Sequence, residues 1–192
     1  MSEHRHFILH KPSGCLSQFT TNQKTRKNKK LLGSLYNFPE GTMAIGRLDE
    51  KSEGLLLLTT NGKVSEYVRS RKVEKEYYIQ VDGIITNEAI EQLKLGVEIG
   101  INGKKYKTLP CKAKRLDPIP VFEVPAKVVR EERHGPTSWA SITVTEGKFR
   151  QVRKMSAAVG FPTLRLVRVR IGKIWLDQLT AGDCIEVEEL NV

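Results

Sequence analysis

The run Gly46-Arg47-Leu48-Asp49-Glu50-Lys51-Ser52-Glu53-Gly54, followed at once by Leu55-Leu56-Leu57-Leu58, constrains this chain more than any other segment. Leu55–Leu58 has no alternation of polar and apolar residues, so it predicts a buried strand over Gly54–Thr59. The run Thr42–Leu48 predicts a second strand just before it. Between the two lies a polar loop holding a carboxylate and an arginine, bracketed by Gly46 and Gly54. Buried strands on both sides give such a loop a rigid frame, which suits a site better than a solvent-facing turn. The plain alternative is an ion pair inside the loop, from Asp49 or Glu50 to Arg47 or Lys51. Taken alone, the segment leaves both readings open.

Charge narrows the class of partner. The 192 residues carry 32 Lys and Arg against 22 Asp and Glu, a surplus of ten, and 39% of the residues are hydrophobic. A chain of this length and mix forms one good-sized domain or two closely joined lobes, with an ordinary apolar core. The longest apolar run is the four leucines, too short to span a membrane. The N-terminus has no signal-peptide shape. Cys15, Cys111 and Cys184 are far apart and odd in number, which fits neither a disulfide scaffold nor a cysteine zinc site. His4, His6 and His10 lack acidic or cysteine company and read as surface histidines, so no metal is expected. Gly-x-Gly-x-x-Gly does not occur. The expectation is a reduced, cytoplasmic, basic protein whose partner is a polyanion.

The cations are unevenly placed. Residues 4–39 hold seven basic residues and no acid: Arg5, Lys11, Lys24, Arg26, Lys27, Lys29 and Lys30. Residues 148–176 hold eight more and again no acid: Lys148, Arg150, Arg153, Lys154, Arg165, Arg168, Arg170 and Lys173. One such block is ordinarily a solvated face. Two of them repel each other unless an anion lies between them.

Periodicity supplies the remaining elements. Strands are predicted at Phe7–Leu9, Glu76–Val81 and Trp139–Val144, the last half-buried, with a hairpin about Asn102-Gly103 and a further strand by residue 116. Residues 17–30 read as an exposed loop, 31–36 as a short helix, and 117–137 as a long connection with one strand. Helices are predicted at Lys63–Arg69 and Asn87–Leu95. A third covers Phe149–Val159, where Val152, Met155, Ser156 and Val159 form an apolar stripe beside Arg150, Arg153, Lys154 and Ala157. In Leu164–Arg170 the alternation slips between Leu166 and Val167. A bulge there would turn Arg165, Arg168 and Arg170 outward. The fold class is α+β, a mixed, mainly antiparallel sheet with flanking helices.

Four segments, in order, resemble the RNA pseudouridine synthases, in the branch that modifies uridines of ribosomal RNA. His10-Lys11-Pro12 through Thr20 resembles the family's opening Lys-Pro strand. Gly46–Gly62 resembles its catalytic motif, and Lys75-Glu76-Tyr77 its Lys-x-Tyr motif. Glu146-Gly147-Lys148-Phe149-Arg150-Gln151-Val152-Arg153-Lys154 resembles its final basic motif. Departures are mild: Ser52 stands where Thr is usual, Thr60-Asn61 replaces Asn-Asp or Asn-Asn, and Lys148-Phe149 replaces Arg-Asn. The resemblance implies one catalytic domain over 1–192, as two closely joined lobes about a cleft. It also implies that the small N-terminal RNA-binding module of many relatives is missing.

It further implies a reaction and its residues. Uridine becomes pseudouridine when its glycosidic bond breaks, the uracil turns, and the base rejoins the sugar through carbon. The developing oxocarbenium-like charge calls for an anionic carboxylate. The uracil stays bound and is reused, so one carboxylate is enough and no cofactor is consumed. The resemblance makes Asp49 that nucleophile, and attack on the sugar and a glycal route are both open to it. Burial disfavours the charged carboxylate, and Arg153 is the implied counter-ion, with a phosphate contact as its alternative. Tyr77 is implied to pack on the target base and act as general base, or else to be an ordinary strand aromatic. Arg47 is implied to help hold the base out of its stack. RNA contacts are expected at Arg47, Lys11, Lys24, Arg26, Lys27, Lys29, Lys148, Arg150, Lys154, Arg165 and Arg168. The expected partner is large-subunit ribosomal RNA, bound by a monomer. The competing functions are a non-catalytic RNA-binding assembly factor and the same reaction on small-subunit rRNA or tRNA.

Overall fold

The computed structural model describes residues 4–20, 29–70, 73–123 and 134–192, which form an α+β fold with a mainly antiparallel sheet. The chain divides into two compact units, residues 1–73 with 168–192 and residues 74–167.

In the first unit the apolar strand β1 (His6–Lys11) is central. It pairs antiparallel with β3 (Glu53–Thr59) on one side and β11 (Cys184–Val187) on the other. The register sets Lys11 opposite Gly54 and His6 opposite Thr59. All four leucines of β3 are fully buried, as an unalternating run requires. Leu56 and Leu58 pack with Phe7, Leu9, Cys15 and Leu32, and the rings of Phe19, Tyr36 and Phe38 lie against that cluster. The strand predicted over Thr42–Leu48 is only β2 (Met43–Ala44) on the edge of β3; Ile45 still donates to the Leu57 carbonyl at 2.8 Å. Gly46 then takes a φ of +72°, which turns the chain out of the sheet. The short helix expected at 31–36 is a single 3-10 turn, Leu32–Ser34. Helix α1 (Gly62–Arg69) starts where the Asn61 side chain accepts from the amides of Lys63 (3.0 Å) and Val64 (3.4 Å).

The second unit is built on β4 (Lys75–Asp82), β8 (Thr137–Val144) and β7 (Lys112–Arg115), antiparallel in that order. Helix α2 (Asn87–Leu95), capped by the Thr86 hydroxyl, buries Ala89, Ile90 and Leu93 against Ile79, Val81 and Ile142. The hairpin about Asn102-Gly103 is β5 (Glu98–Ile101) with β6 (Lys104–Lys107). Helix α3 (Gln151–Ala158) buries Val152, Met155 and Ser156, the predicted stripe. In β8 Trp139, Ser141 and Thr143 are buried as well as Ala140 and Ile142, so this strand is covered on both faces and not half-buried. Between residues 117 and 137 the described residues contain no strand.

Strand β9 (Thr163–Ile171) runs from the second unit into the first, where it turns back through β10 (Ile174–Trp175). Its arginines correct the outward reading. Arg165 is 9% exposed and Arg168 4%, with Leu166, Val167 and Val169 buried beside them. A strand covered on both faces has no outward side, so each guanidinium donates to a carbonyl instead. Arg168 Nε meets the Leu55 carbonyl at 2.7 Å, and Arg165 Nη2 the Glu123 carbonyl at 2.9 Å. Within the first unit Gly54, at φ +104°, lies so close to Arg168 that a Cβ would stand 2.3 Å from its carbonyl oxygen. Only glycine fits at that bracket of the Asp49 loop.

Candidate functional site

Asp49 sits half-buried in a turn closed by a hydrogen bond from the Ser52 amide to its carbonyl at 3.0 Å. The backbone on both sides of it is pinned by the last residue of β1 and the segment that follows it. Before Asp49, the buried Ser17 hydroxyl donates to the Leu48 carbonyl at 2.8 Å and accepts from the Leu48 amide at 3.0 Å. After it, the Glu50 carbonyl accepts from the Gly14 amide at 2.7 Å and from Lys11 Nζ at 3.3 Å. Each such bond contributes about 1 kcal/mol, and together they leave the carboxylate little backbone freedom. Ser52 and Glu53 are buried where the loop enters β3.

The ion pair found at the loop reaches outside it instead of closing within it. Glu50 meets Lys29 Nζ at 2.7 Å, and Arg47 points to solvent. Lys29, expected to grip RNA, is thereby engaged at the rim of the Asp49 loop. Lys11, expected there too, is completely buried, its ammonium donating also to the Pro12 carbonyl at 2.9 Å. Burial pushes that ammonium down to about 8. Lys11 is thus a structural donor under the loop and no surface contact, and Arg168 and Arg165 are likewise withdrawn from the surface. Lys24, Arg26 and Lys27 lie outside the described residues.

The second unit places Tyr77 in β4 opposite Ile142, half-buried against the apolar cluster. Arg153 lies half-buried on α3 and donates from Nη1 to the Thr163 carbonyl at 3.3 Å. Asp49 therefore belongs to one unit, and Tyr77 and Arg153 to the other. The segment just before α3 carries Lys148, Arg150 and, one turn on, Lys154. Arg150 is exposed and left-handed at φ +52°, ψ +32°. Lys154 Nζ donates to the Gly100 carbonyl at 2.6 Å and lies 5.3 Å from the centre of the Phe149 ring.

Two sets of residues with structural consequence lie inside the quoted motifs but were given no role there. Glu146 is 4% exposed; its carboxylate accepts from the Tyr106 hydroxyl, from the Leu109 amide at 2.9 Å and from Gln151 Nε2 at 2.9 Å. Gln151 Oε1 in turn accepts from the Lys148 amide at 3.1 Å. The signal was a Gln three residues after Lys148, at the start of a helix with no Ser, Thr, Asp or Asn cap. Ser17 is the other, and no local pattern marks its bond across 31 residues to Leu48. His6 and His10, read as surface histidines, are instead buried in the first unit's framework: His6 Nδ1 lies 2.9 Å from the Thr59 hydroxyl and His10 Nδ1 2.8 Å from the Leu179 carbonyl. A cavity of about 310 Å³ opens in the same unit beside Phe19, Tyr36, Phe38 and Thr42, and Asp49 does not line it.

An α+β fold with Asp49 in a glycine-bracketed, backbone-pinned loop and a basic segment leading into a late helix is the frame of an RNA-modifying isomerase, and similarity to known proteins gives the class. Residues 5–158 match the RNA pseudouridylate synthase family, and the chain belongs to that family. It is 40% identical over 174 residues to ribosomal large subunit pseudouridine synthase E of Xanthomonas axonopodis pv. citri, covering 90% of this chain and 88% of that one. It is 39% identical to the synthase E of Vibrio parahaemolyticus, covering 94% and 73%. With ribosomal large subunit pseudouridine synthase B of Bacillus subtilis the identity is 31%, covering 95% and 67%. A solved pseudouridylate synthase superimposes with a TM-score of 0.76 at 26% identity over 97% of this chain and 71% of its own. No helix among the described residues is long and apolar enough to cross a membrane.

Proposed function

We propose that this chain isomerises one uridine of large-subunit (23S) ribosomal RNA to pseudouridine, without a cofactor, using Asp49 as nucleophile. One observation carries the reading: the residues on either side of Asp49 are fixed by Ser17, Gly14 and Lys11. A carboxylate whose neighbours are held this way is pre-positioned, and attack on a sugar carbon is sensitive to displacements of about 1 Å. The relatives named for the large ribosomal subunit support the choice of RNA.

In this reading the N1–C1′ bond breaks, its electron pair leaves with the uracil, and Asp49 stabilises C1′ by bonding to it. The uracil turns in place, C5 bonds to C1′, and the carboxylate is released. The C5 proton is lost and N1 gains one, so no outside reagent is needed. Tyr77 is the proposed surface for the base and acceptor of the C5 proton. Arg153 is the proposed cation keeping Asp49 ionised, and Arg47 the residue that holds the uridine out of its stack. Lys29, Lys148, Arg150 and Lys154 are the proposed RNA contacts.

Tritium release from 5-labelled uridine in a 23S rRNA transcript tests the reaction. The wild-type chain is expected to release label and Asp49→Asn none, with equal RNA binding by the two. Release by Asp49→Asn at the wild-type rate overturns the role of Asp49. Release from a 16S transcript or tRNA but not from 23S rRNA overturns the substrate, and binding without release from any RNA leaves a non-catalytic factor.

A further inference from the structure

We propose that Phe149 is a stacking platform for an unpaired base of the substrate RNA, presented by a loop built for that purpose. The proposal rests on RNA being the substrate and deepens that reading. The loop is Gly147-Lys148-Phe149-Arg150, and its two ends are tied beneath it. Gln151 Nε2 donates to the Glu146 carboxylate at 2.9 Å, and Gln151 Oε1 accepts from the Lys148 amide at 3.1 Å. Both side chains are 4% exposed, and Glu146 is held further by the Leu109 amide and the Tyr106 hydroxyl. The network allows a conformation that costs about 1–3 kcal/mol, a left-handed arginine at the start of α3.

What this clamp presents is a ring that packing does not explain. Phe149 is 66% exposed, set between Lys148 and Arg150. Beside it stands Lys154, whose ammonium is anchored on the Gly100 carbonyl at 2.6 Å and lies 5.3 Å from the ring centre. On the other side of the loop Lys148 Nζ lies 4.9 Å from the centre of the Tyr106 ring. An exposed aromatic among cations, with no acid from residue 148 to 176, suits a base flanked by phosphates: the ring takes the base and the cations take its backbone.

The test uses the whole chain and an in vitro 23S rRNA transcript. Phe149→Ala is expected to raise KM for the transcript about 10-fold, in the range alanine substitution of a stacking aromatic produces. kcat and thermal stability should stay near wild type, since the ring is exposed and outside the reaction. Phe149→Trp should restore KM, and its added indole fluorescence should be quenched by the transcript beyond any quenching of the wild-type chain. Lys148→Ala separates charge from stacking. It should lower the slope of log binding constant against log salt by about 0.7 to 0.9, and Phe149→Ala should leave that slope unchanged. A wild-type KM in Phe149→Ala overturns the proposal, and so does an unquenched indole, whatever KM does. If the wild-type chain releases no tritium, the quenching and salt series on the same transcript still decide the platform, so the two readings fail separately.

Discussion

The Asp49 loop and the 147–150 loop are both short, polar and framed by buried residues, but they are held in different ways. The 147–150 loop is closed on itself: Glu146 and Gln151 bracket it in sequence and meet in space. The Asp49 turn is closed by the Ser52 amide and is also held from outside. Its tethers come from Lys11, Gly14 and Ser17, more than 30 residues upstream. A self-closed loop keeps its shape as long as its own clasp holds, which suits a surface that meets RNA. A loop tethered from outside inherits the rigidity of the sheet behind it, which suits a nucleophile.

Cutting the self-made clasp should have the larger effect. Glu146→Ala leaves the Tyr106 hydroxyl, the Leu109 amide and Gln151 Nε2 without their buried acceptor. At about 1–3 kcal/mol for each donor left unsatisfied, a loss of about 4 kcal/mol is expected in urea unfolding. Because the clasp presents Phe149, RNA affinity should fall with it, and Glu146→Gln, which keeps an acceptor, should recover part of both. A stability change under 1 kcal/mol in Glu146→Ala would mean that the loop is not closed this way.

The external tether is shared among several donors, so removing one should cost less stability and more turnover. Ser17→Ala deletes both bonds to Leu48 but leaves those to Glu50. About 2 kcal/mol of stability is expected to go, with a fall in kcat and little change in KM, because the neighbour of Asp49 is loosened and no RNA contact is touched. Tritium release at saturating transcript separates the outcomes: a rise in KM alone would place Ser17 in binding and not in positioning.

The same contrast explains how much could be read from the chain. Helix α2, the unalternating leucines of β3 and most of the apolar stripe of α3 follow from local pattern, and the structure has them at the predicted residues, with Val159 left half-buried at the end of the helix. Asp49 and its bracketing glycines were legible because the motif is contiguous. The tether was not, because nothing near Ser17 or Lys11 announces a partner beyond residue 47. Arg165, Arg168 and Lys11 misled for a related reason. Charge read along the chain says nothing of which cations a two-sided sheet has covered and matched to carbonyls. Strand β11 was hidden by its acidic composition, which marks an edge pairing with β1 rather than a core strand.

The smallest expected effect asks whether the tether acts through charge or through a hydrogen bond. Lys11 is lowered to about 8 first by burial, with Arg168 adding to it and Cys15, Glu53 and Glu50 pulling the other way. An unfolded lysine titrates near about 10.4. Between those two values the unfolded chain binds a proton that the folded chain has released, so this group makes stability rise with pH across the window and adds no slope below it. Lys11→Met removes this pH dependence. The stability of wild type minus that of Lys11→Met, from urea unfolding at pH 7, 8, 9 and 10, should therefore be flat at first. It should then climb by at most ~1.4 kcal/mol per pH unit. A neutral amine keeps hydrogens to donate to the Glu50 and Pro12 carbonyls, so the Asp49 loop should hold its place as that proton leaves. Wild-type turnover should accordingly show no loss near pH 8 that Lys11→Met lacks. A difference in stability that falls with pH, or a wild-type turnover loss at pH 8 absent from the variant, would make the Lys11 charge and not its hydrogen bond the working part of the tether.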